Sequence, residues 1–295
     1  MLTLTLDELR EVEARVQAAM ASADYDGLDV VGYGEVTVVL RLEGAEGAFA
    51  CKRLPTFPAL ERLDAYRGTL SLYLDRLRAA GLTVADTEFC HWALPSGRHT
   101  AYCVQPAFPS ERVCSRLLRS SEQGWAQDFF ERFLDRVAAV VTARLGLDAQ
   151  ASNWVDLDGD LVFIDVTTPF LRDEAGREML DVGLYLSSLP WLVRVPVRLS
   201  VSGWVFEKYY SLRGVALDFL GNLHKERLSH LVAPFIEQAN ARLEQPLTEA
   251  EVAAYYTRDA RTWALIQRLR RADWMWQSRV RRRVYPYLLP PAAER

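Results

Sequence analysis

Two short apolar segments on either side of an Asp-Gly pair constrain this chain more than any other feature. Trp154-Val155-Asp156 and Leu161-Val162-Phe163-Ile164 flank the turn Leu157-Asp158-Gly159-Asp160. Asp-Gly supplies the positive φ that a two-residue hairpin needs, so the flanks are predicted to pair antiparallel. Asn153 lies just before the first segment and Asp165 just after the second. The hairpin therefore makes neighbours of two oxygen-bearing side chains that the sequence separates by eleven residues. Asp148 opens the same loop five positions before Asn153. An amphipathic helix predicted over Asp128 to Leu145 leads into it, with Phe130, Phe133, Leu134, Val137, Val140, Val141 and Leu145 as its stripe. Gly146 is its predicted stop. Such a helix gives the loop a rigid base.

These residue types suit one chemistry. Phosphoryl transfer from ATP needs a carboxylate to orient the attacking hydroxyl, and an Asn and a second carboxylate to hold metal ions against the phosphates. Asp148 is the candidate catalytic residue; Asn153 and Asp165 are the candidate metal ligands. All three offer oxygen, which suits Mg²⁺. Asp156, Asp158 and Asp160 lack the ligand ring and closing Glu of a calcium loop and are expected to be solvated turn residues.

Composition sharpens one further residue. The 295 residues carry 35 basic side chains, of which only Lys52, Lys208 and Lys225 are lysine; the other 32 are arginine. A lysine that persists against this bias is a candidate for a role arginine cannot fill, and Lys52 sits in an otherwise apolar strand. The net charge of −4 gives no general case for nucleic acid or for an anionic membrane. No apolar run reaches membrane-spanning length. The four cysteines form no C-x-x-C pair and no ligand cluster with histidine, so reduced thiols in a cytoplasmic protein are expected. The acidic N-terminus does not resemble a secretory signal.

Upstream, Thr5-Leu6-Asp7-Glu8 is a capping box. Leu6, Leu9, Val12, Val16 and Met20 follow on one helical face to about Ala21. The period then changes. Leu28 to Val36, Thr37 to Leu42 and Ala48 to Leu54 form an antiparallel meander. Gly32 and Gly34 lie in its first turn. Two glycines there are read either as a tight turn or as a loop whose backbone can approach phosphates without a Cβ clash. Lys52, eighteen positions on, favours the phosphate reading; the alternative is a surface lysine on an edge strand. Leu60 to Ala80 is a helix ended by Gly81. Of its acids Glu61, Asp64 and Asp75, Glu61 is the chosen partner for Lys52, with a solvated face as the alternative for each. Thr83 to Phe89 and Thr100 to Val104 complete five strands. Gln105-Pro106-Ala107-Phe108-Pro109 is either a hinge or an ordinary proline loop.

In motif order these segments resemble the protein-kinase-like superfamily, in the style of aminoglycoside and choline phosphotransferases. The residues that carry the resemblance are Gly32-Tyr33-Gly34-Glu35-Val36, Ala50-Cys51-Lys52, Asp148-Ala149-Gln150-Ala151-Ser152-Asn153, Ile164-Asp165-Val166 and Asp181-Val182-Gly183-Leu184-Tyr185-Leu186. The resemblance implies an α+β, two-lobed fold. A small antiparallel β-rich N-terminal lobe would cover residues 1–105 and a larger, mainly helical C-terminal lobe residues 106–295. It implies that Gly32, Gly34, Lys52 and Glu61 serve ATP, with Lys52 on the α- and β-phosphates. Asp148 would be the base, Asn153 and Asp165 would bind Mg²⁺, and Asp181 would support the catalytic loop through backbone N–H groups. Four departures stand out. Gly146-Leu147 stands where the family has His followed by Arg or Gly, Asp165-Val166-Thr167 replaces D-F-G, Gln150 stands where a lysine is common, and no A-P-E follows.

The expected function is an ATP- and Mg²⁺-dependent phosphotransferase acting on a small-molecule or peptide hydroxyl. The alternative is a kinase-like pseudoenzyme or scaffold subunit that presents a peptide or partner to another enzyme. Beyond Asp181 the chain is helical and aromatic, including Trp191 and Trp204. Arg258 to Arg295 carries ten arginines. The favoured reading is a terminal helix that packs its aromatics and solvates its arginines; an acidic protein partner is the alternative, with nucleic acid a weaker third.

Overall fold

The computed structural model describes residues 4–34, 36–45, 47–190, 194 and 206–290. Glu35, Trp191 and Trp204, named above, lie outside the described residues. The architecture is mixed α+β. Strands β1 (Val30–Tyr33), β2 (Val38–Gly44), β3 (Gly47–Arg53), β4 (Glu88–Ala93) and β5 (His99–Pro106) form an antiparallel sheet in the order β1-β2-β3-β5-β4.

Strand alternation decides which side chain faces which layer. Val38, Leu40, Leu42, Phe49, Cys51, Tyr102 and Val104 point to one face. There they pack on Leu9, Val12, Val16 and Met20 of helix α1 (Leu6–Ser22). Thr5 caps α1 with the expected reciprocal bonds, Glu8 N–H to Thr5 Oγ1 at 3.2 Å and Thr5 N–H to Glu8 Oε2 at 2.7 Å. Leu6 is 45 % exposed and not part of that face. A buried ion pair joins the layers: Arg53 donates twice to Glu13, at 2.7 and 2.9 Å, and Tyr102 Oη donates to Glu13 at 2.6 Å. Lys52, one residue from both Cys51 and Arg53, therefore faces the other way, opposite Cys103 in the register.

That second face meets helix α2 (Leu60–Ala79), whose Leu63, Tyr66, Leu70, Tyr73, Leu74 and Leu77 are buried. The core continues into α3 (Cys114–Ser120), α4 (Gln123–Val140), α6 (Leu212–Lys225), α7 (Val232–Asn240) and the start of α8 (Glu249–Met275). A one-turn helix α5 spans Val182–Tyr185. Phe130 stacks on Phe235 with ring centres 4.2 Å apart, and Phe133 meets Phe219 at 4.4 Å.

Helix α4 starts and stops five residues before the predicted span. Val140, Val141 and Thr142 are β-branched and stiff at χ1, and Val141 is already extended. The Thr142 hydroxyl accepts from the N–H groups of Arg144 and Leu145, which turns the chain out of the helix. Gly146 is thus not the helix stop. It lies where three backbones converge: an added Cβ would sit 3.0 Å from both Phe170 Cβ and the Tyr209 carbonyl oxygen.

The hairpin of β6 (Trp154–Leu157) and β7 (Asp160–Phe163) has the predicted register, Trp154 opposite Phe163 and Leu157 opposite Asp160. Asp158 and Gly159 take φ of 54° and 105°. Asp156 is not a solvated turn residue. It is buried, accepting from Gly159 N–H at 2.6 Å and from Arg132 at 2.9 Å. The four cysteines are free and buried. Among the described residues no helix is long and apolar enough to cross a membrane.

Candidate active site

Lys52 and Asp165 meet. The β3 ammonium donates to Asp165 Oδ1 at 2.6 Å, with the two side chains 17 % and 31 % exposed. Burial alone would raise the Asp165 pKa. The Lys52 charge and hydrogen bond, joined by a 3.1 Å bond from Thr167 Oγ1, hold it below the usual carboxylate range. The turn after Asp165 is fixed by two tyrosines, since Tyr66 of α2 and Tyr185 of α5 both donate to the Thr167 carbonyl, at 2.8 and 2.6 Å.

Asn153 and Asp165 become neighbours as the hairpin requires: Ile164 N–H donates to the Asn153 carbonyl at 3.0 Å. Asn153 Nδ2 donates to the Asp148 carbonyl at 2.9 Å, which closes the loop on itself. With its amide nitrogen engaged, Asn153 presents Oδ1 as the atom able to take a cation. Among the described residues no three His, Cys, Asp or Glu side chains form a metal cage. Mg²⁺ carried by a nucleotide needs only one or two protein oxygens beside phosphate and water, so Asp165 and Asn153 fit that ion.

Asp148 is half-buried. Its Oδ1 is sealed from solvent without a hydrogen-bond partner, and its Oδ2 has only a long 3.5 Å contact from Gln150. Burial pushes the carboxyl up to about 7; the Asp218 and Asp165 charges push the same way, and Lys208 opposes them. A sealed, unpartnered carboxylate oxygen costs free energy and is retained where a polar ligand completes it.

The backbone around Asp148 is held from three sides. Gly146 N–H donates to the Phe170 carbonyl and Leu147 N–H to the Tyr209 carbonyl, both at 2.9 Å. Tyr73 of α2 donates to the Gly146 carbonyl at 3.0 Å. Asp181 does not take the loop-supporting role that the resemblance implied; it forms an ion pair with Arg62 of α2. Glu61 lies exposed in the first turn of α2, and the ion-pair partner of Lys52 is Asp165, not Glu61. The inward face of α2 carries Tyr66 and Tyr73 instead of an acid.

Of the two glycines, Gly34 is the more closely packed, although its neighbour is a rotatable threonine hydroxyl. Its N–H donates to the Thr37 carbonyl at 3.0 Å, and a Cβ would collide with Thr37 Oγ1. At Gly32 a Cβ would make only ordinary contact with Val39 at 3.7 Å. Val36, in the same turn, is buried under Tyr285, Tyr287 and Leu289 of the C-terminal segment.

A cluster beneath Asp148 escaped the sequence reading. Lys208 Nζ donates to Asp218 Oδ1 and to Tyr255 Oη, each at 2.6 Å, and Tyr255 Oη donates to Asp218. Asp218 raises the Lys208 pKa against the opposing effect of burial. The scarcity of lysine was the available signal: it marks Lys208 as well as Lys52.

None of the curated proteins compared matches the chain. A solved structure titled "WaaP in complex with acyl carrier protein" is similar over 85 % of this chain and 96 % of that chain, with 16 % identity and a TM-score of 0.35. A family model matches residues 11–274, and the chain therefore belongs to the family that this model describes, a family of unknown function (DUF6206).

Proposed function

We propose that the protein is an ATP- and Mg²⁺-dependent phosphotransferase with a two-lobed, protein-kinase-like arrangement. Residues 1–105 would form the sheet-bearing lobe and residues 106–295 the helical one. The observation that carries this reading is the meeting of Lys52 with Asp165 at 2.6 Å, in a site whose hairpin also brings in the Asn153 and Asp148 loop. Lys52 would bind the α- and β-phosphates, and Gly34 would keep the first turn tight enough to lie over them. Mg²⁺ held by Asn153 and Asp165 would supply charge neutralisation when bound. Asp148 would accept the hydrogen bond of an acceptor hydroxyl and take its proton. Positioning and fixed charge would account for most of the rate.

A second reading, a kinase-like pseudoenzyme or scaffold, is favoured by one observation. Lys52 pairs directly with Asp165, while α2 turns tyrosines inward where an active kinase needs an acid. Release of ADP from ATP, measured with candidate small-molecule and peptide hydroxyl acceptors, separates the two. Turnover that falls about a hundredfold or more in Asp148→Asn, with nucleotide binding retained, supports the enzyme. Nucleotide binding without turnover in the wild type supports the pseudoenzyme.

A further inference from the structure

The C-terminal end of α8 and the segment after it form an exposed, basic and apolar knuckle. After Met275 the helix widens into a π-turn, Trp276–Val280. Arg281 N–H then donates to the Trp276 carbonyl at 3.0 Å, and Arg283 N–H to the Gln277 carbonyl at 2.8 Å. Arg282 takes φ of 50°, so the chain reverses there. Residues 279–284 are all exposed, as are Met275 and Trp276. Four of these side chains are large and apolar: Met275 at 45 %, Trp276 at 52 %, Val280 at 59 % and Val284 at 52 % exposure.

The charge along this stretch of chain is one-sided. Between residues 260 and 290 the single carboxylate is Asp273, which is buried. Arg261, Arg268, Arg279, Arg281, Arg282 and Arg283 are exposed, with no ion pair to any described residue. The base of the knuckle is firmly tied. Arg270 is 1 % exposed, Tyr285 donates to the Ser188 carbonyl at 2.9 Å, and Arg271 donates to the Pro290 carbonyl at 2.9 Å.

We infer that this knuckle docks on an anionic bilayer surface. Lipid phosphates complement the unpaired guanidinium groups. The apolar tip matches the headgroup–acyl boundary, into which interfacial segments bury Trp and aliphatic side chains while basic residues stay among the headgroups. Six consecutive exposed residues offer an uninterrupted stretch of contact, which suits a fluid surface better than a preformed protein groove. The whole-chain charge of −4 hides this basic stretch; at its base Asp24 and Asp26 line a cavity with Arg271, Trp274, Leu289 and Pro290, and residues 279–284 beyond it carry no acid. The inference does not depend on the phosphotransferase reading.

Co-sedimentation of the full chain with vesicles tests it. The protein should pellet with equimolar phosphatidylglycerol and phosphatidylcholine, remain in the supernatant with phosphatidylcholine alone, and release as salt is raised. Replacing Arg281, Arg282 and Arg283 together with Gln should weaken the partition by about one to two orders of magnitude. The pair Trp276→Ser and Val280→Ser should weaken it about tenfold or more at unchanged Tm. All five side chains are exposed, so the fold is retained in each variant. No pelleting with anionic vesicles, or full pelleting of the arginine variant, overturns the inference. Anionic pelleting that ignores the Trp276→Ser and Val280→Ser pair also overturns it, leaving a purely electrostatic face suited to an acidic protein.

Discussion

Lys208 is accommodated by two glycines. An alanine Cβ at Gly214 would collide with the Lys208 carbonyl oxygen and Cα, and one at Gly221 would lie 2.6 Å from Cδ1 of Tyr255. Gly214 lies in the first turn of α6 and Gly221 in its interior, where glycine costs helix stability, and close approach explains both. Gly214→Ala is expected to destabilise the protein by about 1–3 kcal/mol through overpacking. Gly68→Ala, in α2 with nothing near its Cβ, should stabilise it by about 0.5–1 kcal/mol. Urea denaturation of the two variants gives opposite signs if the packing is as described. Asp218→Asn strands the Lys208 ammonium in the interior and should cost about 3–5 kcal/mol by the same measurement, whereas an effect within 0.5 kcal/mol would contradict a buried pair. Lysine scarcity made Lys52 legible because a strand pattern surrounds it. Lys208 has partners 10 and 47 residues away, on two helices, and no local pattern announces them.

Helix α1 is bound to the sheet by more than its apolar stripe. Glu13 shares the buried face with Leu9, Val12 and Val16, and its carboxylate receives Arg53 and Tyr102. Burial pushes its pKa up, but the Arg53 hydrogen bonds and charge, aided by Tyr102, hold it below the ordinary glutamate value. A depressed carboxylate adds stability above its unfolded pKa and loses it as pH falls through the folded one. Glu13 therefore stabilises the fold at neutral pH, and its contribution declines below about pH 4.5. Glu13→Gln should lower stability by about 3–5 kcal/mol at pH 7, because Arg53 is left charged and buried. It should also flatten the acid limb of the stability–pH curve; an unchanged limb would contradict the account. The elements most legible in the sequence were those with local chemistry: the Thr5 capping box, the Asp158-Gly159 turn and the alternating strands. Helix α4 was misplaced because its apolar stripe runs on through Val141 and Leu145, while a side-chain turn at Thr142 ends the helix. The choice of Glu61 failed to meet Lys52 for a different reason. Helical periodicity gives faces, and the face that meets the site carries Tyr66 and Tyr73.

At the scale of the molecule, the sheet and the helical part are joined around the candidate site. Lys52 of β3 reaches Asp165, and from helix α2 Tyr66 reaches the Thr167 carbonyl, Tyr73 the Gly146 carbonyl and Arg62 Asp181, so the sheet and α2 are both tied to the loops of residues 146–181. The C-terminal segment adds a second tie, since Tyr285, Tyr287 and Leu289 cover Val36 of the glycine turn, and Tyr287 donates to Ser187 Oγ at 2.5 Å. None of these ties has a sequence signature, because each joins residues distant in the chain through side chains that many folds use in other ways. Under the proposed function, Lys52, Asp148, Asn153 and Asp165 would meet a nucleotide and its cation here. Ligand that binds the folded state at free concentration L stabilises it by RT ln(1 + L/Kd), so Tm climbs with the logarithm of ligand concentration once the site is saturated. A thermal-shift titration with ATP, with and without Mg²⁺, on the wild type and on Asp165→Asn tests this most directly. The account predicts a rise in Tm that requires both ATP and Mg²⁺ in the wild type and is absent in the variant. A wild-type Tm indifferent to Mg²⁺ and ATP, or an equal rise in Asp165→Asn, would contradict it.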